Sequence, residues 1–250
     1  MNTRPYNSHC RAEGFTLMEL LVVIGVIALV AGLTVPSIAN FMTAGSDSQA
    51  YNLLLAMASA GRADAVRTHN YTAVHVQCEV KNDLAGPPVG KSYIGLFKFD
   101  KGNGLFTAHT DFAPKALPGG MAFGEGSDYF LGAANTLQNL NNANMQNFTS
   151  FSIVFGPSGS LVRSVPPISG SSKIRFLPTD AYFVGATQLW YQEVANANGI
   201  GEDGARCVWI FKMQEFMAIG DNAAKRKDWL TTNGQQIPLN YHTGQLFPRE

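Results

Sequence analysis

Gly14-Phe15-Thr16-Leu17-Met18-Glu19-Leu20-Leu21-Val22-Val23-Ile24-Gly25, continuing apolar to Val35-Pro36, is the stretch on which the reading of this chain turns. From Phe15 to Val35 run twenty-one residues with a single ionisable side chain, Glu19. At 1.5 Å per residue a helix of that length reaches roughly 31 Å, the hydrocarbon thickness of a bilayer. Arg4 and Arg11 precede it, and no further Lys or Arg occurs before Arg62. That asymmetry predicts a single-pass helix with the polar head in the cytoplasm and the rest of the chain outside. On insertion scales a central acidic residue costs roughly 2.5–3.5 kcal/mol, so Glu19 requires a reason, even near the helix end where it can reach the interface.

Residues 1–14 are short and hydrophilic. A secretory signal peptide carries its apolar region ahead of its cleavage site. Here the apolar region follows Gly14, so a cut after Gly14 leaves the hydrophobic helix on the mature chain. Gly14-Phe15-Thr16-Leu17-Met18-Glu19-Leu20-Leu21-Val22 resembles the processing site of type IV prepilins and type II secretion pseudopilins. The family pattern is a Gly, then Phe or Met, then Thr-Leu-x-Glu-Leu, with Glu fifth in the mature chain. Glu19 is fifth counted from Phe15, and Pro36 is twenty-second, where many pilins carry a helix-bending Pro. Glu13 departs from the basic residue common before the scissile Gly.

The resemblance implies that a prepilin peptidase cuts between Gly14 and Phe15 and N-methylates Phe15. It implies that Thr16, Leu17 and Glu19 serve assembly, with Glu19 meeting a neighbour's N-terminal amine. The implied partners are the peptidase, other pilin or pseudopilin subunits, an inner-membrane assembly platform and membrane lipid. The implied location is the inner membrane, with the C-terminal domain periplasmic or extracellular, and then a pilus or pseudopilus. No catalytic residue, metal or other cofactor is expected.

Beyond the anchor the chain reads as α+β. The expectation is pilin-like: a long N-terminal helix, part transmembrane and part amphipathic, packed on an antiparallel β-sheet globular domain. The divisions are 1–14 leader, 15–36 transmembrane and polymerisation helix, 37–68 amphipathic continuation, and 69–250 β-rich domain. Pro36 lacks an amide hydrogen and is expected to kink the helix. Ala28 and Gly32 form a small-x-x-x-small pair that lets another helix approach. Tyr51, Leu54, Leu55, Ala58, Ala65 and Val66 fall at helical spacing as a buried stripe, and Ser46 or Asp47 is placed to cap a restart after Gly45. Gly61-Arg62-Ala63-Asp64-Ala65, ahead of a strand, is similar to the Ala-Arg-x-x-Ala segment of the H-type minor pseudopilins.

Alternation over Thr72–Val80 predicts a strand with Val74, Val76, Cys78 and Val80 on one face and His75 solvated on the other. Further strands are expected at Ser92–Phe99, Leu105–His109, Phe151–Phe155, Ser160–Val165, Lys173–Leu177, Ala181–Val194 and Arg206–Met213. A short helix is expected at Asn222–Trp229, a turn-led strand at the end, and an exposed loop or weak helix over the Asn-rich 133–150. Asp100-Lys101-Gly102-Asn103-Gly104 reads as a hairpin turn, one carboxylate and a Lys being a poor calcium cage. The same holds for Gly201-Glu202-Asp203-Gly204. Cys78 and Cys207, on the oxidising side, either form a disulfide or remain two buried thiols. Cys10 leaves with the leader.

Charged residues make up 14% of the chain and hydrophobic ones 46%, which marks a globular chain rather than a disordered one. Removing residues 1–14 leaves 16 basic against 17 acidic residues, so direct nucleic-acid binding is not expected. The chain carries no Gly-x-Ser-x-Gly, His-Glu-x-x-His, phosphate loop or dinucleotide fingerprint, and its histidines are dispersed. The favoured reading is a minor pseudopilin of a type II secretion system. A type IV minor pilin in adhesion or DNA uptake comes second, and a membrane-anchored enzyme or binding protein last.

Overall fold

The computed structural model describes residues 16–78, 91–126, 137–162, 205, 207–240 and 242–246. The chain divides after Ala44 into two units. The first holds one helix, α1 (Leu17–Ala44), whose side chains are described as far as Gly32. β-Branched and Leu residues fill it without a Gly–Pro break before Pro36, and the helix continues through Pro36 to end ahead of Gly45.

The second unit is mixed helix and antiparallel sheet. Helix α2 (Ser46–Thr68) ends where His69 adopts a left-handed conformation, φ 48°, and donates its N–H back to Val66. Strands β1 (Thr72–Cys78), β2 (Ser92–Asp100), β3 (Leu105–Ala108) and β6 (Phe151–Phe155) form one sheet in the order β3-β2-β1-β6, with the short β4 (Lys115–Ala116) also on β2. A second sheet, β5 (Met121–Glu125), β7 (Cys207–Lys212) and β8 (Gln235–Pro238), runs β5-β7-β8. The β2–β3 hairpin turns at Gly104, φ 73°, as Asn103-Gly104 predicts. Short helices α3 (Met145–Thr149) and α4 (Met213–Met217) and the longer α5 (Ala223–Asn233) complete it.

The main core lies between α2 and both sheets: Leu54, Met57 and Ala58 meet Val74, Ile94, Phe155 and Ile210 in one cluster. Helix and sheet approach closely at Gly61, where a Cβ would come 2.8 Å from Val74 Cγ2 and 3.3 Å from Phe155 Cδ2. Ala and Gly on the stripe therefore serve proximity rather than volume.

Several expectations are corrected. The buried stripe of α2 is Ala50, Leu54, Met57, Ala58, Gly61, Asp64 and Ala65, rotated so that Leu55 and Val66 face outward. Ser46 does not cap: it lies inside the helix, buried against Gly119, and Gly45 holds the cap position without a side-chain bond. The segment before β6 includes a short helix, the second of the two alternatives, but it is not on the surface, since Leu140, Met145 and Phe148 are fully buried in a second core with Phe211 and Phe216. Of Ser160–Val165 the described part forms an isolated bridge, Phe155 to Leu161. The strands expected at 173–177 and 181–194, and the Gly201–Gly204 turn, lie outside the described residues.

Candidate functional site

The residues assigned to assembly come together in the first turn of α1. Glu19 lies three residues after Thr16, the spacing at which a carboxylate reaches back to a helix start. Its Oε2 accepts from both the Thr16 backbone N–H and the Thr16 hydroxyl, each at 2.9 Å. The Glu19 N–H in turn donates to Thr16 Oγ1 at 3.2 Å. This reciprocal box orders the turn and gives a carboxylate near the helix start hydrogen-bonded partners of its own chain. Gly14 and Phe15 lie outside the described residues. Leu17 is 81% exposed, and Leu20, Val23, Ile24, Ile27 and Val30 are exposed as well. Pro36 sits within α1, and its side chain is outside the described ones. Among the described residues no helix is long and apolar enough to cross a membrane.

Cys78 and Cys207 are both free and buried, so of the two alternatives the disulfide is not formed. They share one apolar cluster, yet each sulfur has its own polar neighbour. Cys78 Sγ is 3.0 Å from Ser92 Oγ, and Cys207 Sγ is 3.3 Å from Gln236 Nε2. Burial pushes the Cys207 thiol above its ordinary range, which suits an inert core residue. In the β2–β3 turn Asp100 Oδ1 accepts from Gly102 N at 2.8 Å and Asn103 Oδ1 from Leu105 N at 2.9 Å.

His75 corrects the expectation of a solvated strand residue. β1 is flanked on both edges and buried on both faces, and His75 is 0% exposed. Its Nδ1 lies 2.9 Å from Ser152 Oγ and its Nε2 3.3 Å from Gln77 Oε1, with Phe97 edge-on. Burial lowers its pKa to about 4 from 6.5. Below pH 6.5 the unfolded chain therefore takes up a proton that the folded chain refuses until about pH 4. Folding free energy is undiminished by this residue above pH 6.5 and falls progressively on acidification through that window, by about 3 kcal/mol in all. His75→Gln should flatten that part of the pH profile in urea titrations between pH 7 and 4. An unchanged acid limb would rule out His75 as its source.

A second polar group was missed because its members are far apart in sequence. Asp64, 5% exposed, accepts from Arg67 at 2.7 Å and from the Thr72 hydroxyl at 3.1 Å. His109 Nε2 stands 3.5 Å from the same carboxylate. His109 Nδ1 accepts the Asp111 backbone N–H at 3.2 Å, which leaves the proton of the neutral ring on Nε2, facing Asp64. Burial raises the Asp64 pKa, but Arg67, Thr72 and His109 together outweigh it and hold the carboxyl below the usual range. Burial and the Lys98 ammonium hold His109 low against the pull of Asp64 and Asp111. The group joins α2, β1 and the end of β3 through these contacts. Comparison with protein-family models, curated proteins and solved structures returns no match to this chain.

Proposed function

We propose that this chain is a pilin-class filament subunit, anchored by its N-terminal helix until a peptidase releases the leader and an assembly machine draws it into a pseudopilus or pilus. The observation that carries the reading is the stretch Gly14–Val22: a scissile Gly, Phe, and Glu at the fifth mature position, directly ahead of an apolar span. The apolar side chains of α1 support it, because large ones from Leu17 to Val30 stand exposed, the kind of surface that lipid or other helices cover. In this reading residues 15–36 span the inner membrane and residues 45–250 lie outside it, so that α1 and the mixed helix–sheet unit make a pilin-like subunit.

Glu19 then sets the axial register. Cleavage at Phe15 creates an ammonium beside the Thr16–Glu19 box, and a carboxylate in a low-dielectric helix bundle is stabilised where a neighbour's ammonium meets it. The size of the external unit suits a minor subunit of a type II secretion system, with a type IV minor pilin as the second reading. Glu19→Ala should leave leader removal intact and reduce incorporation into filaments at least tenfold, read by cysteine crosslinking between neighbouring α1 helices. Wild-type levels of incorporation would refute the register role.

A further inference from the structure

The outward face of α2 carries a groove. It has a volume of about 730 Å³ and runs between α2 and Gly244–Leu246. Leu55, Ala58, Ala63, Val66 and Leu246 supply its apolar lining, and Arg62 and Arg67 its charge. Leu55 and Val66 are 39% and 44% exposed, so apolar area stands open to water beside two guanidinium groups. Leu55, Ser59, Arg62 and Val66 recur at four- and three-residue intervals, a single stripe along the helix.

Arg62 is held in place by packing. Its stem lies on the turn at Gly159, where a Cβ would come 3.1 Å from Arg62 Nε and 2.9 Å from Val66 Cγ2. Gly159 has φ +78°, which itself favours glycine, so the turn and α2 fit together only at this residue. Arg67 is bound to Asp64 at 2.7 Å, whereas Arg62 has no hydrogen-bond or ion-pair partner among the described residues. A guanidinium fixed above an apolar floor, with no counter-charge among the described residues, is the complement of an apolar body bearing one carboxylate.

We propose that this groove docks an amphipathic helix of a partner protein, which presents a Glu or Asp to Arg62 and apolar side chains to Leu55 and Val66. The stripe from Leu55 to Val66 spans about three turns, roughly 16 Å, the repeat that a partner helix reads with anchors at i, i+3 or i+4, and i+7. A nucleic acid would meet an apolar floor where it needs a run of cations, and the groove supplies only two.

The test uses the full chain in lipid nanodiscs and a labelled Ala/Leu-based helical peptide of about four turns, with Glu, Gln or Lys at its centre, read by fluorescence anisotropy. The Glu peptide should bind at least tenfold more tightly than the Lys peptide, a difference of the size expected for a charge-assisted bond. Arg62→Gln, which keeps the packed stem, should abolish the preference, Arg62→Glu should reverse it, and Val66→Asp should remove binding of all three. Equal binding of the three peptides, binding by none, or a preference that survives Arg62→Gln would overturn the proposal. Dodecanoate binding more tightly than the Glu peptide would overturn it in favour of a small-acid site.

Discussion

In a Gly14→Val chain the leader stays on: the intact mass of protein extracted from membranes is that of the full 250-residue chain, and no filament contains it. A residue without a side chain at the scissile position lets a peptidase bring its reacting groups against the backbone carbonyl, and a β-branched side chain fills that space and restricts the backbone as well. The effect is close to all-or-none because cleavage also creates the Phe15 amine. Without that amine Glu19 has no cationic partner in a neighbouring subunit, and assembly fails at two steps. Gly14→Ala, with only a methyl group added, should be processed slowly rather than not at all. Normal maturation of the Val variant would refute the cleavage-site assignment, whereas a defect confined to incorporation would point back to Glu19.

Arg226→Ala should be among the most damaging truncations at the described residues of the second unit. Arg226 is 0% exposed in α5, with Nη1 donating to Leu140 O at 3.0 Å and Nη2 to Asn142 Oδ1 at 2.7 Å. Its guanidinium carbon lies 5.6 Å from the Phe216 ring centre. Asp221 completes the arrangement by accepting the Asn142 N–H at 2.7 Å and standing 3.9 Å from Nη1. Truncation removes a large buried stem and leaves the Leu140 carbonyl without its donor, a combination that costs about 3–5 kcal/mol. For a unit of this size that is a drop in Tm of about 10 °C. Arg226→Lys recovers little, because a single ammonium does not replace two divergent donors. Hydrogen exchange should quicken first over residues 140–149. A loss under 1 kcal/mol would show that the buried cation is dispensable.

The parts of the fold legible in the sequence are those whose signal is local. The α1 helix shows as an apolar run, the β2–β3 hairpin as Asn103-Gly104, and α5 as a charged helix whose start is capped by Asn222 accepting from Lys225 N. β5 was not legible. Met-Ala-Phe-Gly-Glu has weak strand character, and it is a strand because it pairs with β7 and because Gly124 leaves room for the ring of Phe148. His75 was misread because alternation reports one covered face, whereas β1 is covered on both. Asp64 and His109 gave no signal, since nothing near either residue records that the fold brings them to 3.5 Å. At the candidate site the spacing of Thr16 and Glu19 was legible, while the bonds between them needed side-chain geometry.

The pairing of β1 with β6, and the placing of β7 between β5 and β8, carry a consequence for how the chain is made. β1 meets Phe151–Phe155 only after a long loop has closed, and the second sheet has no centre until Cys207–Lys212 has been made. Contacts this distant in sequence make folding slow and nearly indivisible. Until then the growing chain holds an incomplete sheet with open edges. A chain cut short before Gln235–Pro238 therefore lacks an edge strand of the second sheet, and one cut before Cys207 lacks its centre.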